Sequence, residues 1–346
     1  MANMLNRRRF TELILAAGAG SSLLPNHTFG RAKPTVAPGK RVGIIGLDTS
    51  HSTAFTKELN KPTATADRAT ADRPNPDWKG YQVVAAYPKG SNDIESSVKR
   101  IPEYTGEVKK WGVEIVSSVD ELLRNVDVVL LETNDGRRHR EQAMQVLAAG
   151  KRVFIDKPLA ASLPDILAIM DAAKKGNVPL FSASSVRYMN GIAGLDKSQV
   201  VGADTFSPAV LEKTHPDLFW YGIHGVEALF AVMGTGCQSV MRHHTPNTDI
   251  VVGTWADGRV GTFRGTRTGK HTYGGTVFTN SGIVTLGPYG GYNPLLKDII
   301  RFFDTGVPPV RPEETLEIYV FMEAADESKR KGGASVRLDS VLKKAH

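Results

Sequence analysis

The stretch VGIIGLDTSH, residues 42–51, combines residue types that could bind a phosphate group. The residues before Gly46 are the apolar end of a predicted strand, and Gly46 supplies the turn. Such a turn lets backbone N–H groups approach a phosphate at a helix N-terminus. The usual pattern G-x-G-x-x-G has further glycines where this chain has Asp48 and His51. The sequence therefore predicts an altered dinucleotide-binding turn.

Asp48 could affect phosphate binding in two ways. A carboxylate about 5 Å from a phosphate, at an effective dielectric constant near 20, costs about 3 kcal/mol, or roughly a hundredfold in affinity. That cost weakens binding without preventing it. Alternatively, Asp48 caps the helix that is predicted to start near Thr49 and Ser50, and then competes for the N–H groups that a phosphate would use.

Two further residues have side chains suited to acid–base chemistry. Lys157 follows a predicted strand, where an ammonium group can donate to a substrate oxygen and stabilise charge that develops there. His224 lies in an apolar predicted helix, and an imidazole with a pKa near 6.5 can act as a general base. A histidine in such a helix is more often a packed core residue, so the residue type alone does not decide its role.

The histidines do not form a recognisable metal-binding motif. His224 and Glu227 give only the weak pattern His-x-x-Glu, and His215, His243 and His244 follow no settled spacing. We therefore predict no metal site. The sequence also has no G-x-S-x-G motif and no Cys–His pairing that would indicate nucleophilic catalysis.

Strands and helices alternate from residue 41 to about residue 185, which is typical of a parallel sheet with crossover helices. The predicted strands are 41–45, 82–86, 126–132, 152–155 and 178–183, with helices from 118, 138 and 162. After residue 200, short segments rich in Val, Thr and Phe predict an open antiparallel sheet. These segments are 200–207, 238–245, 249–256, 259–266, 271–279 and 282–287, with helices near 222–233, 294–304 and 312–330. A ligand cleft is expected between the two domains.

Composition limits the class of protein. The chain has 346 residues, of which 41% are hydrophobic and 23% charged, as in soluble globular proteins. Six of the seven net positive charges lie in residues 1–41, and the remainder carries no basic stripe interleaved with aromatic residues, so we expect no nucleic-acid partner. The single cysteine, Cys237, excludes an internal disulfide and is interpreted as a buried apolar side chain.

Residues 1–35 have the layout of a bacterial export signal. Arg7, Arg8 and Arg9 precede LILAAGAGSSLL, a run that is too short for a transmembrane helix of roughly 20 residues. A twin-arginine signal predicts a periplasmic protein that has no membrane contact after the signal is removed. The alternative is a cytoplasmic protein with a disordered basic N-terminus.

Three stretches together resemble the Gfo/Idh/MocA oxidoreductases, which are sugar and inositol dehydrogenases. The first is VGIIG at 42–46. The second, LETNDGRRHREQAMQVLAAGKRVFIDKPLA at 131–160, is similar to the family's block of strand, T-x-N, His, helix and V-x-x-E-K-P. The third, WYGIHGVEALFAVMGTG at 220–236, resembles the helix that carries the family's active-site histidine. The resemblance runs from about residue 41 to residue 330.

This resemblance implies a role for each matching residue. Lys157 corresponds to the catalytic lysine, and Pro158 to the proline that follows a cis peptide bond. Asp156 stands where the family has Glu, one methylene longer. His224 corresponds to the general base, and Glu227 is the available residue to orient it, because Trp220 stands where many members have Asp.

The resemblance also implies the binding residues. The cofactor, NAD or NADP, is expected to contact the following set: Gly46, Asp48, Thr49, Ser50, His51, Thr133, Asn134, His139, Asp156 and Lys157. NADP is slightly favoured because the second strand is followed by Lys89 and Ser91 rather than by an acid. Loss of the cofactor is the alternative. Substrate is expected to contact Arg187, Tyr188, Tyr221 and Glu227.

The resulting fold class is α/β, with an N-terminal Rossmann-like parallel sheet domain and a C-terminal α/β domain that has a large open, mostly antiparallel sheet. The predicted boundaries are 1–35 for the signal and linker, 36–157 for the nucleotide domain, 158–310 for the substrate and oligomerisation domain, and 311–346 for the terminal helix and tail.

The expected function is hydride transfer to or from a sugar, polyol or sugar derivative by a homodimer or homotetramer. A carbohydrate lyase or glycosidase on the same fold, or a non-catalytic carbohydrate-binding protein, is the alternative.

Overall fold

The computed structural model describes residues 39–62 and 76–345. The predicted export signal lies outside these ranges, as does the stretch TADRATADRP at 65–74, a tandem duplication of five residues that we interpret as a loop without function. Within them, no helix has the length and apolar character that crossing a membrane requires.

Six parallel strands form the N-terminal sheet. They are β1 (Arg41–Ile45), β2 (Gln82–Tyr87), β3 (Glu114–Ile115), β4 (Val128–Leu131), β5 (Val153–Ile155) and β6 (Leu180–Ser182). Their spatial order is β3-β2-β1-β4-β5-β6, which is the doubly wound Rossmann order. All four residues of β4 are buried, as expected for a strand that is covered on both faces. The predicted parallel sheet is confirmed, and the two-residue strand β3 is an addition that its short, polar sequence did not indicate.

Among the described residues, five α-helices lie between these strands. They are α1 (Ser50–Asn60), α2 (Glu95–Lys109), α3 (Val119–Asn125), α4 (Gly136–Ala148) and α5 (Leu163–Gly176). Local sequence sets the ends of several of them. Ser118 accepts a hydrogen bond from the Glu121 N–H at 3.1 Å and thereby caps α3. Ser162 caps α5 in the same way through the Asp165 N–H.

A seven-stranded sheet forms the second domain. Its strands are β7 (Val200–Pro208), β8 (Cys237–Thr245), β9 (Thr248–Trp255), β10 (Val260–Thr266), β11 (Gly274–Thr279), β12 (Gly282–Leu286) and β13 (Val336–Arg337), in the order β12-β11-β7-β10-β9-β8-β13. All pairs are antiparallel except β7 with β10, which run parallel. The sheet is therefore mostly antiparallel, as predicted.

Four helices complete the chain: α6 (Ile223–Met233), α7 (Asn293–Thr305), α8 (Pro312–Arg330) and α9 (Leu338–Ala345). Every residue of α6 is buried, because this helix packs on β7 and β10 of the second sheet, against α8 and against the turn after β6. Phe230 of α6 packs against Trp255 of β9 and Phe321 of α8. In contrast, α7 contributes Phe302 and Phe303 to the apolar cluster of the N-terminal sheet, although it follows the second sheet in sequence.

Candidate active site

A cleft of about 220 Å³ opens at the carboxyl ends of the parallel strands, next to α6. In doubly wound sheets this edge, where the strand order reverses, is the usual ligand site, and here the reversal lies between β1 and β4. Five aromatic residues line the cleft: Trp220, Tyr221, Tyr273, Tyr289 and Tyr292. Lys157 and His224 line it as well, so the structure brings the two predicted catalytic residues together.

The turn after β1 requires a glycine. Gly46 has φ +88°, a conformation that L-residues with side chains rarely adopt. A Cβ atom there would also lie 2.5 Å from the backbone of Thr133. The chain therefore turns tightly against the loop that follows β4.

Asp48 lies behind the cleft rather than in it. Its fully buried carboxylate accepts hydrogen bonds from the backbone N–H of Asn134 at 2.9 Å and of Ser91 at 3.3 Å. Burial raises the pKa of this carboxyl, and the Asn134 N–H opposes that shift. The residue thus connects the loops after β1, β2 and β4. It does not cap α1, so the interpretation of Asp48 as a helix cap is wrong.

The N-terminus of α1 is open toward the cleft. Thr49 occupies the N-cap position, but its side chain makes no capping bond, and the first turn contains no acidic residue. Its Oγ1 is buried without a hydrogen-bond partner among the described residues. Thr49, Ser50 and Asn134 all line the cleft. The free N–H groups of a helix N-terminus and these polar side chains fit an anionic group such as a dinucleotide phosphate.

His51, on α1, faces two buried carboxylates. Its Nδ1 lies 3.0 Å from Oδ1 of Asp156 and 3.6 Å from Oε2 of Glu132. Burial would lower the pKa of His51, but the interactions with Asp156 and Glu132 together outweigh burial and raise this pKa to about 10. Burial raises the pKa of Glu132. Burial also acts to raise the pKa of Asp156, but His51 and Lys157 hold it below its ordinary value.

Lys157 follows β5 and reaches the floor of the cleft. Its Nζ lies 3.7 Å from Oδ2 of Asp156, whereas the contact of His51 with Asp156 is to Oδ1. The peptide bond to Pro158 is cis, which confirms that expectation. The ammonium group is thus largely buried beside one carboxylate and open to the cleft.

His224, in the first turn of α6, is held by a hydroxyl group. Its Nδ1 lies 2.6 Å from Oγ of Ser184, which also accepts a hydrogen bond from the Val186 N–H. Burial lowers the pKa of His224 well below its ordinary value, and the nearby charge of Lys157 lowers it further. The imidazole is therefore neutral at neutral pH, as a proton acceptor must be.

Glu227 does not orient His224. It forms a buried ion pair with Arg187 at 2.8 Å, and Arg187 also pairs with Glu314. Neither Arg187 nor Glu227 lines the cleft, and Tyr188 donates its hydroxyl to Asp298 at 2.9 Å. The expectation that Glu227 orients the base is wrong, because the ion pair with Arg187 turns its carboxylate elsewhere.

Other predicted binding residues lie one layer below the cleft. His139 is fully buried, and its Nε2 lies 2.6 Å from the carbonyl oxygen of Thr133. Ser91 is buried, with Oγ 2.8 Å from carboxylate oxygens of both Asp93 and Asp135, whereas Lys89 is exposed. Of the two residues that favoured NADP, only Lys89 is therefore free to meet a ribose phosphate.

The histidines weighed as metal ligands do not converge. Nε2 of His215 accepts a hydrogen bond from the Gly136 N–H at 3.1 Å. Nδ1 of His244 lies 2.7 Å from Asp249 in the second sheet. Cys237 is buried, as expected.

Sequence reasoning missed Ser184, Glu132 and the tyrosines after residue 272. Ser184 lies two residues after β6, and residues at the carboxyl ends of parallel strands lie at the ligand-binding edge of the sheet. The position of Ser184 in the sequence could therefore have indicated that it lies at the site. Tyr273, Tyr289 and Tyr292 come from loops of the second domain, where no sequence pattern indicates which side chains reach the cleft.

Comparison with known proteins agrees with this architecture. Residues 40–184 match the family model described as an oxidoreductase family with an NAD-binding Rossmann fold. The inositol 2-dehydrogenase of Klebsiella pneumoniae strain 342 is 30% identical over 138 residues, which cover 40% of this chain and 39% of that protein. An uncharacterised oxidoreductase of Streptococcus pneumoniae is 29% identical over 112 residues, which cover 32% of this chain and 30% of that protein. The chain thus spans well under half the length of these curated relatives.

Solved structures share the fold over most of the chain. A probable dehydrogenase from Thermotoga maritima has a TM-score of 0.67 at 19% identity, covering 87% of this chain and 99% of that one. The myo-inositol dehydrogenase from Lactobacillus casei, in complex with NAD(H) and myo-inositol, has a TM-score of 0.64 at 18% identity, covering 86% and 96%. Over residues 40–184 the chain is thus similar to the Gfo/Idh/MocA oxidoreductases, and the solved structures share its two-domain fold.

Proposed function

We propose that this protein is an NAD(P)-dependent oxidoreductase that oxidises a secondary alcohol of a sugar, polyol or sugar derivative, or reduces the corresponding ketone. One observation carries the proposal: Lys157 and His224 line the same cleft as the open N-terminus of α1. An electrophile, a base and a place for an anionic cofactor therefore meet in one site.

His224 would take the hydroxyl proton of the substrate. Ser184 Oγ can accept the Nδ1–H of His224 with the lone pair that the Val186 N–H does not use. In that tautomer the Nε2 lone pair is free to accept a proton. Ser184 is thus a positioning residue for the base.

Lys157 would donate a hydrogen bond to the substrate oxygen and stabilise the negative charge that develops as the hydroxyl proton leaves. Asp156, whose Oδ2 lies 3.7 Å from Nζ, supplies a negative charge beside the ammonium group that fixes its direction. In the reverse direction, Lys157 polarises the ketone and protonated His224 returns the proton.

Thr49, Ser50, Asn134 and Lys157 would hold the dinucleotide, because these residues surround the open helix N-terminus and the floor of the cleft. When bound, nicotinamide supplies the hydride acceptor for the substrate C–H bond. Lys89 is exposed after β2 and supports a slight preference for NADP, because its ammonium group can meet a 2′-phosphate.

The aromatic wall supports a polyhydroxylated substrate. Tyr221 and Tyr273 pack edge-on against His224, at ring-centroid distances of 5.0 and 5.7 Å. Tyrosine rings offer flat apolar surface, and their hydroxyl groups donate and accept hydrogen bonds. A ligand with alternating C–H and O–H groups suits such a wall.

A cofactor-reduction assay tests the proposal. The full chain is mixed with NAD or NADP and a panel of inositols, sugars and alditols, and reduced nicotinamide is followed by absorbance. We expect activity with at least one member, and a loss of about a hundredfold or more in Lys157→Met and in His224→Ala. The exposed Lys174→Met and His271→Ala serve as controls that should keep full activity. Normal activity in either site variant, or no nucleotide binding at millimolar concentration, would refute the assignment.

The signal at residues 1–35 supports a periplasmic location. Replacing Arg7 and Arg8 by lysine should retain the protein in the cytoplasm of a bacterial host, as measured by cell fractionation.

The outer face of the second sheet supports a homodimer or homotetramer, because it exposes the following apolar side chains: Val201, Phe206, Met241, Val260, Phe278 and Ile283. Light scattering in solution measures the molecular mass.

A further inference from the structure

Three buried side chains from three different elements meet beneath the cleft: His51 of α1, Glu132 after β4 and Asp156 after β5. One ligand atom from each lies within 4.8 Å of the other two. We propose that these residues form a binding site for a first-row divalent cation, with Zn²⁺ as the probe. The site is distinct from the hydride-transfer function proposed above and does not depend on it.

The donor separations suit a metal ion. Tetrahedral Zn²⁺ with bonds of about 2.0–2.1 Å places its ligand atoms roughly 3.3–3.4 Å apart. The distances from His51 Nδ1 to Asp156 Oδ1 and to Glu132 Oε2 are 3.0 Å and 3.6 Å, on either side of that value. The residues could therefore bind a metal ion through small side-chain movements.

The carboxylate of Glu132 gives support for a cation that is independent of the donor separations. Its side chain is fully buried, yet neither carboxylate oxygen has a hydrogen-bond partner among residues 39–62 and 76–345. More than about nine in ten buried polar groups in proteins do have one. A cation between Glu132, His51 and Asp156 would supply the missing partner.

The ligand types favour zinc-like ions over magnesium. Mg²⁺ and Ca²⁺ prefer sites made of oxygen atoms, whereas imidazole suits Zn²⁺ and its first-row neighbours. The two carboxylates match the charge of one divalent ion. Asp156 contacts His51 through Oδ1 and Lys157 through Oδ2, so a metal ion on Oδ1 would leave Oδ2 to Lys157.

A metal ion could enter the site from the cleft, and the three side chains would not fill its coordination shell. His51 and Asp156 line the cleft, next to Lys157 and Ser50. Three protein ligands leave one position of a tetrahedral ion free, as in catalytic zinc sites. Because His51 and Asp156 line the cleft, a water molecule or a substrate hydroxyl there could occupy that position.

Metal binding to the full chain, with any affinity tag removed, tests the proposal. After chelator treatment and dialysis, Zn²⁺ is titrated by calorimetry, and Co²⁺ by its d–d absorption, which reports coordination number. We expect one ion per chain, four-coordinate Co²⁺ and weaker binding of Mg²⁺. Glu132→Gln keeps the side-chain shape and should weaken Zn²⁺ binding at least about tenfold, as should His51→Asn.

His244→Asn is the matched control, because His244 also contacts a buried carboxylate, Asp249, but outside the cleft. It should bind Zn²⁺ like the unaltered chain. The proposal is overturned if the unaltered chain binds no Zn²⁺ more tightly than about 100 μM. It is also overturned if Glu132→Gln and His51→Asn, shown to be folded by circular dichroism, bind Zn²⁺ normally. Nucleotide binding is measured separately, so its failure would leave this result unaffected.

Discussion

Ser184 Oγ lies 2.6 Å from Nδ1 of His224, and this contact joins the end of a Rossmann strand to the helix of the second domain. The positioning group for the candidate base is thus a neutral hydroxyl. A carboxylate at this place would stabilise the charged imidazole, whereas a hydroxyl leaves burial free to keep the ring neutral.

Removal of this hydroxyl should impair the base more than substrate binding. We expect Ser184→Ala to lower kcat about tenfold or more with a smaller change in KM, because Nδ1 loses the partner that sets its tautomer. Steady-state kinetics and imidazole ¹⁵N NMR measure the two effects. Ser184→Thr, which keeps the hydroxyl, should restore the tautomer, and the exposed Ser198→Ala should change neither quantity. An unaltered tautomer in Ser184→Ala would argue against this role.

His224 should remain neutral well into the acid range. Its pKa is depressed in the folded protein, so a pH titration by NMR should show a midpoint well below that of an ordinary imidazole, which is about 90% charged at pH 5.5. The unfolded chain takes up this proton below about pH 6.5, so the contribution of His224 to stability should decline as the pH falls below that value. A midpoint at or above the ordinary value would contradict the burial argument.

Arg187 should contribute to stability rather than to substrate affinity. Arg187→Met leaves Glu227 buried without its cation and should lower the free energy of unfolding by about 3–5 kcal/mol. Burial already raises the pKa of Glu227 to about 7. Denaturant unfolding measures the effect, and Arg124→Met, at an exposed pair with Asp120, should cost less than about 1 kcal/mol. An increased KM at unchanged stability would instead indicate a substrate contact.

Gly46 should not tolerate a side chain. Gly46→Ala meets both an unfavourable φ and a Cβ contact of 2.5 Å with the Thr133 backbone. Gly150 has φ +68° with no atom near its Cβ position among the described residues, so Gly150→Ala isolates the backbone cost of about 1–3 kcal/mol. Unfolding experiments should show a larger loss for Gly46→Ala. Equal losses would indicate that the loop after β4 moves away without cost.

Much of the fold could be predicted from local sequence because many of its elements carry their own signal, although the two-residue strand β3 does not. Ser162 and Pro164 mark the start of α5, and the predicted helix 312–330 has the observed bounds of α8. The partner of α7 could not be predicted in this way. Its apolar face would fit either domain, and only the tertiary fold places it against the N-terminal sheet.

The site was predictable where one motif supplied the residue and unpredictable where two distant segments meet. Lys157 and His224 each follow from their own motifs. The pairing of Glu227 with Arg187 does not follow from a motif. Glu227 lies one helical turn from His224, so its spacing alone suggests a contact with that histidine. The contact is lost because Arg187, a stronger cationic partner, binds the carboxylate instead. Asp48 is similar: its local position indicates a cap, but the Asn134 and Ser91 N–H groups bind it.

Transfer of deuterium from a substrate carbon to nicotinamide tests the central claim most directly. The full chain is incubated with oxidised cofactor and the active member of the polyol panel, deuterated at the reacting carbon, and the nicotinamide is analysed by mass spectrometry. We predict one deuterium per reduced nicotinamide with the unaltered chain and at least about a hundredfold slower transfer with His224→Ala. Conversion of the polyol without deuterium in the cofactor, or no conversion of any member, would contradict the assignment of this cleft to hydride transfer.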